Sequence, residues 1–353
     1  MNSLDSMEGV RDAEEGPRGG PLALFSHAQL QAIYPGLLVS LTIALASSWL
    51  SLHYGAPVML FALLFGMAFH FLHEEGRCVR GIDFASRTVL RVGVALLGAR
   101  ITASQMVSLG FVPVLTVIAG VSTTIAFGTL LARRMGLSRT FGVLSGGSVA
   151  ICGASAALAI ASVLPRNDRS ERDTILTVVL VTALSTIAMI LYPVLTSALA
   201  LDHIHAGVFL GGTIHDVAQV VGAGYMISAR TGDTATIVKL LRVAMLLPVV
   251  VSISVFVTHR TEGASRNLAK TMPLFLLGFV ALVALNSLGA IPRLATDFAS
   301  DVSRWCLATA IAGLGMKTSF KELFVVGWRP VALMIGETLW LAALVLVSVK
   351  FFL

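Results

Sequence analysis

Long apolar stretches follow one another along the chain and are separated by short polar segments. About 20 apolar residues let a helix cross the hydrocarbon core of a bilayer, so this pattern predicts an all-α, polytopic membrane protein. Glycine, proline and polar residues interrupt several stretches, and we expect about 9–11 transmembrane helices, with discontinuous or re-entrant segments among them. The stretches lie at about 31–52, 56–72, 84–99, 109–132, 141–164, 174–200, 205–226, 235–258, 270–289, 302–316 and 328–350.

The charges in the loops distinguish two topologies. In the first, the segments at 141–164 and 205–226 enter the membrane and return, and the other nine cross it. Most loop arginines and lysines then fall on one side, as the positive-inside rule expects of cytoplasmic loops. In the second, all eleven segments cross, and the arginines between 166 and 172 lie outside. The charge pattern favours the first topology, and discontinuous crossing helices stay open as an alternative.

Composition and charge narrow the function. The chain of 353 residues is 56% hydrophobic and 12% charged, with a mean hydropathy of +0.87, far from the averages for soluble domains. Its net charge of +6 comes from loop residues, so we expect a lipid bilayer and not nucleic acid as partner. Three cysteines without metal-ligand spacing argue against a disulfide framework or a metal site. The lack of a P-loop motif argues against ATP-driven transport, and we expect no cofactor.

The chain divides into a tail and a membrane domain. Residues 1–28 mix charged residues with glycine and proline, which is typical of a disordered tail, here placed in the cytoplasm. Residues 29–353 are expected to form one transmembrane transporter domain.

A repeat within that domain predicts two related halves, about 30–165 and 205–350. The pattern at 98–114 recurs at 315–331 with the same spacing. In the nine-crossing topology the two copies have opposite orientation, as in inverted-repeat transporters. Chance similarity between apolar segments is the alternative.

Two segments combine a glycine pair with polar residues inside apolar stretches. In lipid, a loosened backbone and ionisable side chains are costly unless they line a cavity or face protein. Paired broken segments in the two halves of a transporter point to a substrate site near the membrane midplane. The first segment contains Gly146, Gly147, Ser148, Cys152 and Ser155, and the second contains Gly211, Gly212, Thr213, His215, Asp216 and Gln219.

The glycine pairs and their polar neighbours are candidates for substrate binding. Glycines can expose backbone N–H groups at the N-terminus of a half-helix, where the helix dipole favours an anion. Ser148, Cys152 and Ser155 fall at helical spacing, so they are expected to share one face. Thr213 and Gln219 are the corresponding candidates in the second segment. A helix-packing face of small residues is the structural alternative.

His215 and Asp216 are the candidates for proton coupling. An unpaired aspartate at membrane depth is costly and usually functional, and histidine is the side chain most easily protonated near neutral pH. A hydrogen-bonded structural pair is the alternative. Cys152, His215 and Asp216 could also suggest a catalytic trio, but no nucleophile-elbow pattern accompanies them. We therefore expect no enzyme activity.

Charged residues elsewhere admit more than one interpretation. Arg100 and Lys317 occupy matching positions of the repeat and could attract an anion or anchor helix ends at the membrane surface. Lys239 and Arg242 could face the site or the lipid headgroups. Glu337, within the last apolar stretch, could form contacts between helices.

The segments at 146–156, 211–224 and 313–320 resemble those of the YeiH-type family of sulfate exporters, and the similarity covers about 30–353. The resemblance implies a multi-pass protein of the bacterial cytoplasmic (inner) membrane. It also implies kinship with cation/proton antiporters and bile-acid symporters, whose inverted repeats cross through discontinuous helices. One departure is that both glycine-pair segments follow the first copy of the repeat but precede the second. This order argues against a simple superposition of the halves.

We therefore expect a secondary active transporter that exports sulfate or a related sulfur oxyanion, with protons as the coupling ion. A carrier of organic anions, sulfonates or amino acids, coupled to sodium, is one alternative, and an anion channel is another. In each case the partner is a small anion. Assembly into a homo-oligomer stays open.

Overall fold

The structure is a computed structural model that describes residues 27–54, 58–102, 104, 109–165, 169–258, 274–318 and 328–353. Every regular element in this part of the chain is helical, which confirms the predicted all-α class. Nearly all of the tail predicted at 1–28 lies outside the described residues. So do parts of both repeat copies, at 105–108 and 319–327.

The helices, numbered in chain order, are α1 (His27–Tyr54), α2 (Val58–Ala68), α3 (Phe71–Glu74), α4 (Val79–Phe84), α5 (Leu90–Leu97), α6 (Val112–Arg134), α7 (Arg139–Ala150), α8 (Ala154–Val163), α9 (Ser170–Ala198), α10 (His203–Thr213), α11 (Val217–Ile227), α12 (Ala229–Ala244), α13 (Leu246–Thr258), α14 (Leu274–Ser287), α15 (Arg293–Lys317) and α16 (Trp328–Phe352). A π-helical turn, Ala85–Val89, connects α4 directly to α5.

Polar cap residues determine where several of these helices begin. The side chains of Ser138, Asp202, Asp216 and Ser228 accept backbone N–H groups at the starts of α7, α10, α11 and α12. Such an oxygen satisfies an N–H group that has no partner within the first turn. The short polar segments of the sequence therefore stop one helix and start the next.

Five helical segments are long and apolar enough to cross a membrane by length and composition. α15 has the same length as α16 but carries Arg293, Asp297, Asp301 and Arg304 in its first half, which lowers its hydropathy. The five are Gln29–Tyr54, Val112–Arg134, Ser170–Ala198, Ala229–Val255 and Trp328–Phe352.

Two pairs of short helices fold back on themselves. We name them hairpin 1 (α7 and α8) and hairpin 2 (α10 and α11). In hairpin 1, Thr140 at the start of α7 lines the same small cavity as Pro165 beyond the end of α8. In hairpin 2, His203 Nδ1 at the start of α10 lies 3.1 Å from Ser228 Oγ beyond the end of α11. A crossing helix would separate its ends by about 30 Å, so each pair is a helical hairpin, which is the shape that the predicted re-entrant arrangement requires.

The long apolar helix α9, a candidate membrane span, lies between the two hairpins in the chain. In the nine-crossing topology they therefore enter from opposite sides. In the nine-crossing topology that the loop charges favour, the crossing segments correspond to α1, α2–α3, α4–α5, α6, α9, α12–α13, α14, α15 and α16 of the described residues. Hairpin 1 begins and ends beside the arginine-rich loops that the positive-inside rule assigns to the cytoplasm.

The helices form two bundles. Bundle A contains α1–α5, α14 and α15, and bundle B contains α6–α13 and α16. Close backbone contacts hold bundle A together, since a Cβ added to Gly66 would lie 2.9 Å from Gly315 Cα. Hairpin 2 packs against bundle A, because α11 contacts α2 and α15. In that contact, a Cβ added to Gly222 would lie 3.1 Å from Ile311 Cδ1.

Candidate functional site

The turns of the two hairpins meet inside bundle B. Tip 1 consists of residues 151–153 and tip 2 of residues 214–216. His215 Nδ1 of tip 2 lies 3.0 Å from the carbonyl oxygen of Val149 at the end of α7. Gly153 of tip 1 has a φ of +67°, a conformation that glycine adopts without strain, and its neighbours include the Cβ of His215. The turns of the two hairpins therefore share one junction.

Lys239 of α12 lies between the two tips. Its side chain is fully buried, with 0% exposure. The ammonium donates to the carbonyl of Ile151 at 2.6 Å, to that of Ile214 at 3.0 Å and to that of His215. One cation thus binds both tips.

Arg242, one turn further along α12, is 1% exposed and binds the same region. Its Nε donates to Ala150 O at 3.0 Å and its Nη2 to Val149 O at 2.9 Å. Its Nη1 donates to Gly211 O at 3.2 Å and to Ile214 O at 3.1 Å. The guanidinium therefore connects the carboxyl end of α7 to that of α10.

These contacts follow from the ends of the helices. The last carbonyls of α7 and α10 have no partner within their own helices, and each helix end carries partial negative charge. A buried cation donates hydrogen bonds to these carbonyls and also balances the partial negative charge of the helix ends. Among the described residues, neither Lys239 nor Arg242 forms an ion pair. The junction consequently concentrates positive charge inside bundle B.

His215 is 0% exposed, and both of its ring nitrogens have partners. A carbonyl only accepts, so Nδ1 carries the proton that it donates to Val149 O, and Nε2 lies 3.1 Å from Thr338 Oγ1 on α16. Ser185 of α9 supports tip 2 by accepting the backbone N–H groups of His215 at 3.1 Å and Asp216 at 3.0 Å. A second ring proton would be repelled by the two cations bound to the tips.

Asp216 differs from His215 in its exposure. The residue is half-buried, and its Oδ1 accepts the N–H of Ala218 at 2.7 Å. This bond caps α11, and the negative charge suits the positive N-terminal end of that helix. Asp216 is thus less buried than Cys152 and His215, the other ionisable residues of the tips.

The predicted common face of Ser148, Cys152 and Ser155 is wrong, because α7 ends at Ala150 and the chain turns at tip 1. Ser148 is buried and donates to Leu144 O at 2.6 Å. Cys152 lies in tip 1 as a buried free thiol. Ser155 is the second residue of α8 and is exposed.

The polar candidates of the second segment are buried. Thr213 donates to Phe209 O at 2.6 Å. Gln219 donates through Nε2 to Thr186 Oγ1 at 2.8 Å, and its Oε1 has no partner among the described residues. Their role in substrate binding, like that of Ser148, Cys152 and Ser155, stays a prediction.

The glycine pairs lie at the carboxyl ends of α7 and α10, and not at the N-terminus of a half-helix as expected. They provide close packing. A Cβ added to Gly146 would lie 3.0 Å from Ile125 Cα, and one on Gly211 would lie 2.4 Å from Ala235 O. Cβ atoms on Gly147 and Gly212 would meet side chains at 2.3 Å and 2.8 Å.

The matched cations Arg100 and Lys317 lie away from the tips and each pairs with a carboxylate. Arg100, after α5, pairs with Asp233 of α12, which also accepts the hydroxyl of Tyr225 at 2.5 Å. Lys317, at the end of α15, lies 2.5 Å from Asp83. The attraction of an anion by either cation stays a prediction.

Sequence reasoning left the most deeply buried charges unassigned. Lys239 and Arg242 were equally compatible with lipid headgroups, and the structure places both at the tips. The carboxylate partners of Arg100 and Lys317 were missed, since they come from distant parts of the chain. A pair of cations spaced by one helical turn inside an apolar stretch is the signal that could have identified them as buried.

Comparison with known proteins identifies relatives along nearly the whole chain. A family model described as Conserved hypothetical protein 698 matches residues 35–334. A UPF0324 membrane protein of Chlorobaculum tepidum is 59% identical over 332 residues, which cover 92% of this chain and 93% of that protein. The UPF0324 membrane protein TauZ of Paracoccus denitrificans is 51% identical over 327 residues, covering 92% and 96%. No solved structure matches this chain.

Proposed function

We propose a function for this chain, which belongs to the family described as Conserved hypothetical protein 698 and has bacterial membrane proteins as relatives: it is a secondary active transporter. It exports sulfate or a related sulfur oxyanion across the cytoplasmic membrane, with protons as the coupling ion. The observation that carries this proposal is the junction where the turns of two helical hairpins meet, and we take these hairpins to enter the membrane from opposite sides. Such a junction gives each side of the membrane its own route to one central site.

The closed junction favours a carrier over a channel. Cys152 and His215 are buried where the tips meet, and the tips are held together by hydrogen bonds. A channel needs a continuous water-filled path, whereas a carrier opens its site to one side at a time. The contacts at the tips therefore support alternating access.

The positive charge at the junction supports an anionic substrate. Lys239 and Arg242 contribute two buried cations. The N-cap residue of α8 is Gly153, which has no side chain to cap the first turn, and helix N-termini favour oxyanions. The exposed Ser155 adds a hydroxyl donor beside them. We therefore assign the substrate to the start of α8, next to tip 1.

Asp216 fits the role of a group that gates the anion. An ionised Asp216 repels a dianion, and a protonated one does not. Its partial exposure lets it exchange a proton with water, and His215 beside it links tip 2 to hairpin 1. In this scheme protonation of Asp216 precedes binding of the anion.

Uptake into proteoliposomes tests the proposal. We expect saturable uptake of radiolabelled sulfate or sulfite that an imposed pH gradient accelerates. Thiosulfate, taurine and acetate are each tested for their ability to compete with this uptake. Asp216→Asn keeps the helix cap but holds no exchangeable charge, so it should lose the response to the gradient. Asp301→Asn, an exposed carboxylate on α15, is the matched control. Sodium-driven uptake, uptake of carboxylates or amino acids only, or non-saturable flux would each contradict the proposal.

A further inference from the structure

Glu337 is a buried acid that the scheme above does not use. It lies in the middle of α16 and is 0% exposed. Its Oε1 accepts the hydroxyl of Ser145 of α7 at 2.7 Å. On the other side, a Cβ added to Gly128 of α6 would lie 2.2 Å from Oε1. Three helices thus enclose one carboxyl group.

The carboxyl group of Glu337 has no compensating charge. In the part of the chain that the structure describes, no lysine, arginine or histidine pairs with it, and its Oε2 has no hydrogen-bond partner. Thr124, one turn before Gly128 on α6, also has a buried hydroxyl oxygen without a partner. The carboxyl group of Glu337 therefore has a hydrogen-bond partner at Oε1 only, and no charged side chain pairs with it.

Other titratable groups on the helices that pack against α16 lie away from Glu337. His215 is linked to the neighbouring residue of α16, since it bonds to Thr338. Tyr192 of α9 packs against Phe209 of α10. The other charged or titratable side chains of these helices lie near helix ends: Arg133 and Arg134 of α6, Arg139 of α7, Glu171, Arg172 and Asp173 of α9, His203 and His205 of α10, and Arg329 and Lys350 of α16.

An isolated carboxylate at this depth is very costly, and a buried acid takes up a proton instead. A bound sodium ion would need space and several oxygen ligands, but Ser145 and Gly128 press against Oε1. A proton needs no such space. From this geometry we propose that Glu337 is a proton-binding site, which holds its proton in the closed junction and releases it when water enters.

The position of Glu337 connects this site to both hairpins. Ser145 belongs to hairpin 1, and Thr338 contacts His215 in tip 2. Any movement of the hairpins relative to α16 changes the hydration of the carboxyl group and with it the affinity for the proton. The inference rests on the proposed proton-coupled transport, but it assigns a proton to a residue separate from Asp216.

Infrared spectroscopy of the purified protein tests the site without any transport. We expect wild type at about pH 7, where free carboxyl groups are ionised, to show the C=O stretching band of a protonated carboxyl group. Glu337→Gln should lack this band, and Asp301→Asn should retain it. A wild-type minus Glu337→Gln difference spectrum with only carboxylate bands would overturn the proposal. This readout holds even if no substrate is transported.

Transport then tests the role of the proton. Glu337→Gln retains an oxygen for Ser145 and mimics the neutral acid, so it should keep substrate counterflow without a gradient. Net uptake should be the same with and without a pH gradient. A normal response to the gradient in Glu337→Gln would overturn the coupling role while leaving the transporter proposal intact. Absence of all uptake by wild type would reject the transporter proposal, and the infrared result would still decide the site.

A second variant guards against misfolding. If Glu337→Gln does not fold, Glu337→Asp keeps an ionisable group on a shorter stem and should show a protonated band at a shifted position. Ser145→Ala removes only the hydrogen bond and should retain both the band and the gradient response. Loss of coupling in Ser145→Ala with the band unchanged would assign the role to the hydroxyl and overturn the assignment to Glu337.

Discussion

At the scale of residues, the structure turns on a few buried charges and their backbone partners. The pattern of the sequence indicated that Lys239 and Arg242 lie in an apolar stretch, but a buried cation and a snorkelling anchor look alike there. What distinguishes them is a set of carbonyls at two helix ends. Backbone carbonyls have no residue-specific signature, so the sequence could predict the tips and not what holds them together.

Arg242→Ala should lower the free energy of unfolding by about 3 kcal/mol or more, because it leaves several buried carbonyls without donors. Arg242→Lys should recover only part of that loss, since an ammonium group cannot reproduce the planar guanidinium fork. Denaturant unfolding in detergent, followed by tryptophan fluorescence, measures both. Arg304→Ala is the control, because its ion pair on α15 is exposed and should contribute little. Equal stability of Arg242→Ala and the control would show that the tips do not depend on Arg242.

At the scale of helices, loop charge predicted the re-entrant hairpins, and local residue type predicted their breaks only approximately. The glycine pairs marked the right segments, but each helix continues for one to three residues beyond its pair and ends at Ala150 or Thr213. The reason is that Gly146 and Gly211 serve contacts between helices. Which helix lies opposite a glycine depends on tertiary packing, which a single sequence does not contain.

Gly211→Ala tests whether Gly211 is required for close packing between helices. Its Cβ would lie 2.4 Å from Ala235 O in α12, so we expect Gly211→Ala to destabilise the protein by about 1–3 kcal/mol through overpacking. The matched control is Gly278→Ala in α14, where the nearest atom is Ala95 Cβ at 3.6 Å. There alanine should be neutral or slightly stabilising, because it favours helix. Thermal unfolding in detergent compares the two, and a tolerated Gly211→Ala would contradict the packing role.

At the scale of the whole molecule, the bundles combine helices that are distant in the sequence. Bundle B takes α16 from the end of the chain, and bundle A takes α14 and α15. Each bundle contains helices from both predicted halves, so the boundaries near 165 and 205 stay a prediction. Hydrophobic pattern locates the apolar segments, but the choice of neighbours depends on long-range contacts such as that of Gly66 with Gly315.

Arg100 and Asp233 connect the two bundles near the ends of hairpin 2, on the side opposite the arginine-rich loops. Arg100 follows α5 of bundle A, and Asp233 belongs to α12 of bundle B, where Tyr225 also binds it. If the bundles move apart on that side during transport, this ion pair must break. Its loss should therefore favour the conformation that opens to the outside.

Asp233→Asn should expose tip 1 to the outer solution. With Cys78 and Cys306 replaced by serine, Cys152 is the remaining thiol, and a membrane-impermeant maleimide added to right-side-out vesicles reports its access. We expect labelling to be about tenfold faster in Asp233→Asn, the factor for a shift of roughly 1.4 kcal/mol.

Asp301→Asn should label like wild type, because its partner Arg304 lies on the same helix. Exchanging the charges, Arg100→Asp with Asp233→Arg, should restore slow labelling, since the pair then holds the bundles together again. Equal rates in Asp233→Asn and wild type would mean that this ion pair does not control the outer opening.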